Sequence, residues 1–243
     1  MLKGEGMDPA GMRAEWNERA REDAYYFVSF GRRHQSDEEF FATADDVVRD
    51  LETAIARIGP GDRRVRRALE IGCGPGRLML PMSWNFGEMH GVDVSEEMIR
   101  LAMGHLHDIP SAFPRLTGGV DLAVYPDGFF DFVFSYAVFQ HIPDRNVVLG
   151  YLAEAARVMR PGGILRCQIN GLPEMENHPR AATTWDGARI SVGEIAEFAG
   201  THDMQLLALE GIGTQYMWTT IRKKPAGWFA TLADIAPQAK DML

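Results

Sequence analysis

Three glycines at alternate positions constrain this chain more than any other feature of its sequence. The run Leu69-Glu70-Ile71 leads directly into Gly72-Cys73-Gly74-Pro75-Gly76, and the pattern predicts a helix from about residue 77 to residue 86. Glycines at a strand-to-helix turn let the backbone approach a ligand closely, and a helix N-terminus offers free N–H groups to an anion. The alternative is a tight turn that binds no ligand, and the flanking residues distinguish between these two interpretations.

The residues around the loop depart from the dinucleotide-binding fingerprint. A G-x-G-x-x-G pattern needs a third glycine at position 77, where this chain has Arg77. An acidic residue, Glu70, instead stands two positions before Gly72. Backbone amides suit a carboxylate, and Glu70 can attract an ammonium directly or through water. The pattern therefore favours a ligand with a carboxylate and an ammonium over one with a pyrophosphate.

A second acidic residue follows the next strand. Asp93 ends the predicted strand from Met89 to Val94, in a position typical of carboxylates that accept hydrogen bonds from both ribose hydroxyls. Helix capping is its other interpretation, although Ser95 is the better cap for the next helix. Met98, one turn into that helix, is a candidate contact for an adenine face, with a place in the core as the equal alternative.

The alternation of strands and helices predicts an α/β fold with parallel strands and helical crossovers. Residues 61–224 form its main domain, preceded by an N-terminal helical segment over 1–60 and followed by a tail over 225–243. Two strands over 205–209 and 216–221 stand too close in sequence for a helical crossover, which indicates an antiparallel pair.

Charge and cysteine content exclude several classes of function. The formal net charge of −9 argues against a broad nucleic-acid-binding surface. No signal-peptide pattern and no membrane-length apolar stretch is present in the sequence, and the cysteines Cys73 and Cys167 cannot build a disulfide framework of the secreted type. These features predict a cytoplasmic protein without nucleic-acid or membrane partners, and no local cluster favours a metal site.

Four motifs together resemble the class I S-adenosylmethionine-dependent methyltransferases. They are Leu69 to Arg77, Gly91-Val92-Asp93-Val94-Ser95, the stretch from Pro126 to Ser135 followed by His141-Ile142, and Arg160-Pro161-Gly162-Gly163. The resemblance implies a doubly wound, Rossmann-like sheet of seven mostly parallel strands with the last strand antiparallel. It also implies S-adenosylmethionine as cofactor, S-adenosylhomocysteine as product, and an N-terminal lid over the site.

The resemblance also implies a set of cofactor contacts. Many relatives carry an aspartate for the adenine amino group where this chain has Gly119, so backbone groups near Val120 are expected to replace it, or Asp121 if the loop shifts. Backbone atoms of Ser135 and Tyr136 are expected beside the methionine portion. The expected cofactor-binding residues are Glu70, Gly72, Gly74, Gly76, Arg77, Asp93, Val94, Met98, Gly119, Val120, Ser135 and Tyr136.

Methyl transfer requires alignment more than acid–base help, and a base matters only for an acceptor that is still protonated. His141 is the candidate base, with a purely structural histidine as the alternative. Phe139 and Gln140 are expected to border the acceptor. Aromatic residues of the N-terminal segment, chiefly Tyr25 and Tyr26 with Trp16, Arg19 and Phe27, are expected to form an acceptor wall, unless they only fill the core.

The sequence therefore predicts a methyltransferase acting on a small-molecule acceptor. A protein that binds S-adenosylmethionine without turnover is the second hypothesis. A nicotinamide-dependent dehydrogenase is disfavoured by Arg77 and by the lack of the usual catalytic pattern.

Overall fold

Short apolar runs form the strands of a central seven-stranded sheet. The computed structural model describes residues 8–173, 184–185, 187–225 and 227–228. Most of the tail over 225–243 therefore lies outside the described residues. The strands are β1 (Arg67–Ile71), β2 (Glu88–Asp93), β3 (Ala112–Leu116), β4 (Phe130–Ser135), β5 (Met159–Ile169), β6 (Met204–Glu210) and β7 (Met217–Lys223).

The strand order places a switch in connectivity at the centre of the sheet. The order is β3-β2-β1-β4-β5-β7-β6, with β1 parallel to both β2 and β4, and with β7 antiparallel to β5 and β6. This confirms the predicted doubly wound sheet and its antiparallel last strand. Crevices form at the carboxyl ends of strands where the order reverses, which here is between β1 and β4.

Helices cover both faces of the sheet. Buried residues of α3, α4 and α5 pack on one face, around Phe132 and Phe134, whereas α6 and α7 pack on the other, around Leu69 and Val133. The helices are α1 (Pro9–Ser29), α2 (Asp37–Ala42), α3 (Asp45–Ile55), α4 (Met79–Met82), α5 (Glu96–His105), α6 (Arg145–Val158) and α7 (Val192–Thr201). Within the described part of the chain, no helix is both long and apolar enough to cross a membrane.

The helix after the glycine loop is much shorter than predicted. Turns occupy residues 74–78, and α4 contains only four residues, one of them Pro81. A helix that began at residue 77 would place the Pro81 ring against the Arg77 carbonyl, whereas the first turn of α4 tolerates a proline. So short a helix has little dipole, and the N–H groups of residues 72–74 are already bonded to Val92 and Asp93, so the loop offers a close approach to its backbone more than an anion site.

Three helices begin at side-chain caps. The Ser95 side chain accepts a hydrogen bond from the Met98 N–H, which confirms Ser95 as the expected cap of α5. Asp144 caps α6 through the Asn146 N–H, and Ser191 and Glu194 form a capping box at the start of α7. These local signals set the starts of the three helices.

Helix α1 is broken in its second half and anchored in its first half. Asp23 is extended, with φ −169° and ψ 83°, and its side chain accepts from the Tyr26 N–H as a new cap. Asn17 Oδ1 accepts from Ser95 Oγ at 2.7 Å and from the Glu97 N–H at 3.1 Å. The first half of α1 is therefore tied to the start of α5, and the second half takes a different direction.

Candidate active site

A cleft of about 900 Å³, open to solvent, lies at the carboxyl ends of β1, β2 and β4. The sheet contributes its floor, and α1 contributes a wall of apolar side chains. The lining residues are Met12, Trp16, Phe27, Val28, Phe30, Glu70, Ile71, Gly72, Cys73, Gly74, Arg77, Leu78, Val92, Asp93, Val94, Met98, Thr117, Tyr136, Ala137, Val138, His141, Ile142 and Tyr151.

The glycine loop is shaped so that its backbone faces the cleft. Gly72 has φ +75°, and a Cβ at this position would lie 2.3 Å from Val138 Cγ2, so no side chain fits there. The N–H groups of Gly72 and Cys73 both donate to the Val92 carbonyl, at 2.8 and 3.0 Å. The loop is thereby fixed to the end of β2, and a ligand in the cleft can approach its backbone closely.

Glu70 is a buried acid with an open hydrogen-bonding position. It is 3% exposed, and its Oε2 has no hydrogen-bond partner among the described residues. Burial raises the pKa of Glu70, nearby Arg77 opposes that effect, and Asp93 adds to it. Because a buried carboxylate without a partner is costly, this position is prepared for a cationic or hydrogen-bond-donating group of a ligand.

Asp93 lies beside Glu70 and already organises the protein. Its Oδ2 accepts from the Gly74 N–H at 2.9 Å, and its Oδ1 accepts from the Ser95 N–H at 2.9 Å. Burial raises the pKa of Asp93, although hydrogen bonds from the backbone counteract this. Each carboxylate oxygen keeps one further lone pair, so Asp93 can both hold the loop and accept from a ligand.

Two charged side chains act on Glu70, and of these Arg77 is the positive one. It is buried, and its Nη1 donates to the Thr43 carbonyl at 3.0 Å and to Thr43 Oγ1 at 3.2 Å. Burial lowers the pKa of Arg77, with Glu70 acting in the opposite direction. Arg77 therefore connects the loop to the segment after α2 while it lines the cleft.

One ring nitrogen of His141 is held by a hydrogen bond to the backbone. The Thr184 carbonyl lies 2.7 Å from His141 Nδ1, so Nδ1 carries the proton in the neutral ring and donates it. Burial lowers the pKa of His141, and the charge of Arg19 adds to that effect although the Thr184 bond opposes it. The ring lines the cleft, and the hydrogen bond found among the described residues is at Nδ1 and not at Nε2. A neutral histidine with a free Nε2 can accept a proton.

Nine of the seventeen predicted site residues line this cleft. From the sequence set, the structure brings together Glu70, Gly72, Gly74, Arg77, Asp93, Val94, Met98, Tyr136 and His141.

Several other predicted cofactor contacts lie off the cleft. Gly76 turns toward Leu106, with its ideal Cβ position 3.1 Å from Cδ1 of that side chain. Ser135 is fully buried and its hydroxyl donates to the Ile71 carbonyl at 2.9 Å. Gly119 lies behind Val94, and Val120 is 40% exposed. These residues shape the fold around the site, because their side chains or backbones are already engaged elsewhere.

The two residues before His141 are also part of the core rather than of the cleft lining. Phe139 is fully buried and its ring lies 6.0 Å from that of Tyr151. Gln140 accepts a hydrogen bond from the Gly187 N–H through its carbonyl, at 3.0 Å. The short 3₁₀ turn over Phe139–His141 therefore presents only His141 to the cleft.

The prediction that Tyr25 and Tyr26 line the acceptor wall is not supported by their positions. Tyr25 stacks on Phe40 with ring centroids 4.0 Å apart, and its hydroxyl lies 2.7 Å from Asp37 Oδ1. Tyr26 lies under the guanidinium of Arg33, 4.2 Å from its ring centroid. The break at Asp23 rotates the end of α1, and it presents other residues to the cleft: Phe27, Val28 and Phe30.

Sequence reasoning found part of this wall and missed the rest. Trp16 and Phe27 were named, whereas Val28, Phe30, Thr117 and Tyr151 carried no signal that separated them from ordinary core residues. Among the described residues, no group of three potential ligands is arranged to hold a metal ion.

A family model described as a methyltransferase domain matches residues 69–167. This stretch runs from β1 to β5 and contains the glycine loop, Glu70, Asp93 and His141. This region, 99 of the 243 residues, is what the chain shares with that family.

Curated relatives resemble part of this chain. The trans-aconitate 2-methyltransferase of Azoarcus sp. is 31% identical over 137 residues, which cover 55% of this chain and 49% of the relative. The ubiquinone biosynthesis O-methyltransferase of Thiobacillus denitrificans is 31% identical over 99 residues, which cover 40% of this chain and 41% of the relative. The chain thus spans about half the length, or less, of these relatives.

Solved structures share the fold over most of the chain. Magnesium protoporphyrin IX methyltransferase from Synechocystis, solved with bound S-adenosylhomocysteine, has a TM-score of 0.61 at 14% identity and covers 88% of this chain and 98% of its own. The [4+2]-cyclase SpnF has a TM-score of 0.65 at 14% identity and covers 91% of this chain and 98% of its own. At such identities the likeness establishes the fold alone.

Proposed function

We propose that the protein binds S-adenosylmethionine and transfers its methyl group to a small-molecule acceptor. The observation that carries the proposal is Glu70, buried beside the glycine loop with Oε2 unpartnered among the described residues. A cofactor with an ammonium group supplies the hydrogen-bond donor that Glu70 Oε2 lacks. The relatives named as methyltransferases of trans-aconitate and of ubiquinone biosynthesis support a small-molecule acceptor.

The remaining cleft residues fit the other parts of this cofactor. Asp93 retains a lone pair on each oxygen for ribose hydroxyls, and Val94 and Met98 offer apolar surface for an adenine ring. When bound, the cofactor supplies an electrophilic methyl group on a sulfonium. The aromatic wall from α1 excludes water from the reacting centre and attracts positive charge.

His141 is proposed to take the proton of an acceptor hydroxyl. Its Nδ1–H is fixed by Thr184, so Nε2 is the basic atom, and burial keeps the ring neutral. Replacing His141 by Asn keeps one hydrogen-bonding amide but removes the base. For a hydroxyl acceptor, we expect kcat to fall by about 100-fold or more while the Kd of S-adenosylhomocysteine stays the same. Equal kcat values would leave His141 with a structural role.

Calorimetry with S-adenosylmethionine and S-adenosylhomocysteine tests the cofactor. We expect binding of about −7 to −9 kcal/mol, in the micromolar range. Glu70→Gln removes the charge at nearly constant volume and should weaken binding about tenfold or more. Glu88→Gln is the matched control, because Glu88 lies at the opposite end of the sheet and pairs with Arg67. Binding of NAD with no heat from either sulfur ligand would refute the proposal.

Cofactor binding without turnover is the second candidate function. The neighbour named as a [4+2]-cyclase has this fold, and its named activity is not methyl transfer. Incubation with methyl-labelled cofactor and an acceptor panel separates the two functions. Binding of the cofactor with no label transferred to any compound would favour the second.

Residues 1–60 are proposed to close over the cleft as a lid. The Asn17 anchor argues that the part of α1 before Asp23 is fixed, so closure should involve mainly residues 24–36. Amide hydrogen exchange with and without S-adenosylhomocysteine measures this directly. We expect added protection over residues 24–36 and little change over residues 12–22. Full protection of both stretches without ligand would show a fixed wall instead.

A further inference from the structure

A buried arginine beside the cleft has a role that cofactor binding does not explain. Arg19 is 6% exposed, and its guanidinium carbon lies 4.7 Å from the Trp16 ring centroid and 4.4 Å from the Trp185 ring centroid. Both tryptophan rings also meet the His141 ring edge-on, at 5.6 and 5.7 Å. Arg19 and the proposed base therefore share the same two aromatic neighbours, and Trp16 lines the cleft.

The hydrogen bonding of Arg19 is incomplete. Its Nη2 is paired with Glu15 Oε1, which also accepts from Thr184 Oγ1 at 2.8 Å. Its Nη1 is buried and has no partner among the described residues, and Glu15 Oε2 also has none. A buried charged donor without an acceptor is strongly unfavourable unless something else supplies one. Arg19 does not line the cleft itself, but it packs against Trp16 and Phe27, which do, so a ligand that reaches past these two rings would meet the unpartnered donor.

The same chain shows what a complete site for a buried arginine looks like. Arg166 is 2% exposed and lies 4.4 Å from the Trp218 ring centroid, in the same stacked arrangement. Its guanidinium donates to two carboxylates, Asp50 at 2.9 Å and Glu210 at 2.6 Å, and to a threonine hydroxyl at 2.9 Å. Arg19 has the stacked ring and one carboxylate, and it lacks the second.

We propose that the second carboxylate comes from the methyl acceptor, so that the acceptor is an aromatic or conjugated carboxylic acid. The tryptophan rings on Arg19 hold the guanidinium plane, which favours a flat oxyanion that accepts in that plane. The rings of Trp16, Phe27 and Phe30 supply an apolar wall for a flat, conjugated body. This inference rests on the proposed function, because it names the acceptor of that same cleft.

The test measures acid binding directly and does not depend on turnover. The protein is saturated with S-adenosylhomocysteine and titrated with benzoate, salicylate, cinnamate and caffeate, each paired with its primary amide. We expect at least one acid to bind at least about tenfold more tightly than its amide, because the amide cannot form a charge-assisted pair with Arg19. Equal binding of every pair, or no binding of any acid, overturns the inference.

Variants then show whether Arg19 causes the preference. Arg19→Met should bring the acid and its amide to within about twofold of each other, and Arg19→Lys should keep part of the preference because it keeps the charge without the planar fork. Arg33→Met is the matched control, since Arg33 also stacks on α1 rings but is exposed and paired with Glu22. An unchanged preference in Arg19→Met overturns the inference.

A second variant keeps the inference testable if Arg19→Met does not fold. Glu15→Gln removes the carboxylate that competes for the same guanidinium, so acid binding should become tighter. Weaker or unchanged acid binding in Glu15→Gln contradicts a carboxylate at Arg19. The heat of S-adenosylhomocysteine binding, measured first for every variant, separates the outcomes: its absence in the unaltered protein refutes the proposed function, whereas its presence with no acid preference refutes this inference alone.

Discussion

Two buried arginines, each stacked on tryptophan, stand in opposite situations. Arg166 lies between β5, β7 and α3, and its guanidinium is bonded to Asp50, Glu210 and Thr220. Arg19 lies beside the cleft with Nη1 unpartnered among the described residues. The first site is complete within the protein, whereas we propose that a ligand completes the second. Glu70 resembles Arg19 in this respect, because its Oε2 also has no partner among the described residues.

Among the substitutions considered, Arg166→Met should lower the stability of the protein most. Arg166→Met leaves two carboxylates facing each other without their shared cation, which should lower the free energy of unfolding by about 2–3 kcal/mol. The lower part of the usual range applies because the side chains of Asp50 and Glu210 are 37% and 53% exposed, so solvent screens them. Urea denaturation measures the loss. The Kd of S-adenosylhomocysteine should not change, and a weakened cofactor in a folded variant would break the contrast.

Asp93 has hydrogen bonds within the protein and also has bonding positions left for a ligand, because it binds the glycine loop and lines the cleft. Asp93→Ala should weaken cofactor binding by about 1.5–3 kcal/mol through lost ribose hydrogen bonds. It should also lower stability by about 1 kcal/mol, since the N–H groups of Gly74 and Ser95 lose their acceptor. Asp93→Asn keeps one acceptor oxygen, so its cofactor affinity and its stability should lie between those of the unaltered protein and of Asp93→Ala. An unchanged Kd would reject the ribose assignment.

Glu70→Gln should change stability and binding in opposite directions. Burial raises the pKa of Glu70, so ionising it in the folded protein costs free energy. The cost appears as the pH rises above the unfolded value of about 4.3, and grows until the pH reaches the raised pKa. We therefore expect Glu70→Gln to be about 1 kcal/mol more stable near pH 7 and equal to the unaltered protein near pH 4. Thermal melts from pH 4 to pH 7 test the expected gain in stability, and calorimetry tests the expected loss of cofactor affinity.

Arg19→Met should have the smallest effect on stability of the four. It removes the ion pair of Nη2 with Glu15, but it also removes the unpartnered Nη1, and Glu15 keeps its hydrogen bond from Thr184. The change in unfolding free energy should therefore be within about 1 kcal/mol, well below that for Arg166→Met. Both variants remove a buried guanidinium from a tryptophan face, so stacking contributes similarly to each. A loss as large as that at Arg166 would show that Arg19 is a structural residue.

The sequence predicted the parts of the molecule that depend on short-range patterns. Apolar runs and turn residues gave the seven strands, and Ser95, Asp144 and Ser191 marked the helix starts. The position of Glu70 beside the cleft followed from its spacing to the glycines. Each of these features is set by neighbours in the sequence.

The acceptor side of the cleft depends on features that spacing does not carry. One extended residue, Asp23, redirects the end of α1, and this exchanges Tyr25 and Tyr26 for Phe27, Val28 and Phe30 at the wall. The stack of Arg19 on Trp185 joins residues far apart in sequence. The sequence predicts a helix to residue 86 with a kink at Pro81, and the helix in the structure is instead confined to Met79–Met82.

The Asn17 contact has a consequence for the order in which the two ligands bind. Asp93 accepts a hydrogen bond from the Ser95 N–H, and the Ser95 hydroxyl donates to Asn17. Asn17 is next in sequence to Trp16, which lines the cleft. A cofactor bound at Asp93 therefore meets a part of the wall that is already in place, whereas an acceptor that arrives first meets residues 24–36 before they have closed. We expect compulsory-order kinetics with the cofactor leading, visible as S-adenosylhomocysteine inhibition that is competitive toward S-adenosylmethionine and noncompetitive toward the acceptor. Asn17→Ala should relax this order toward random entry.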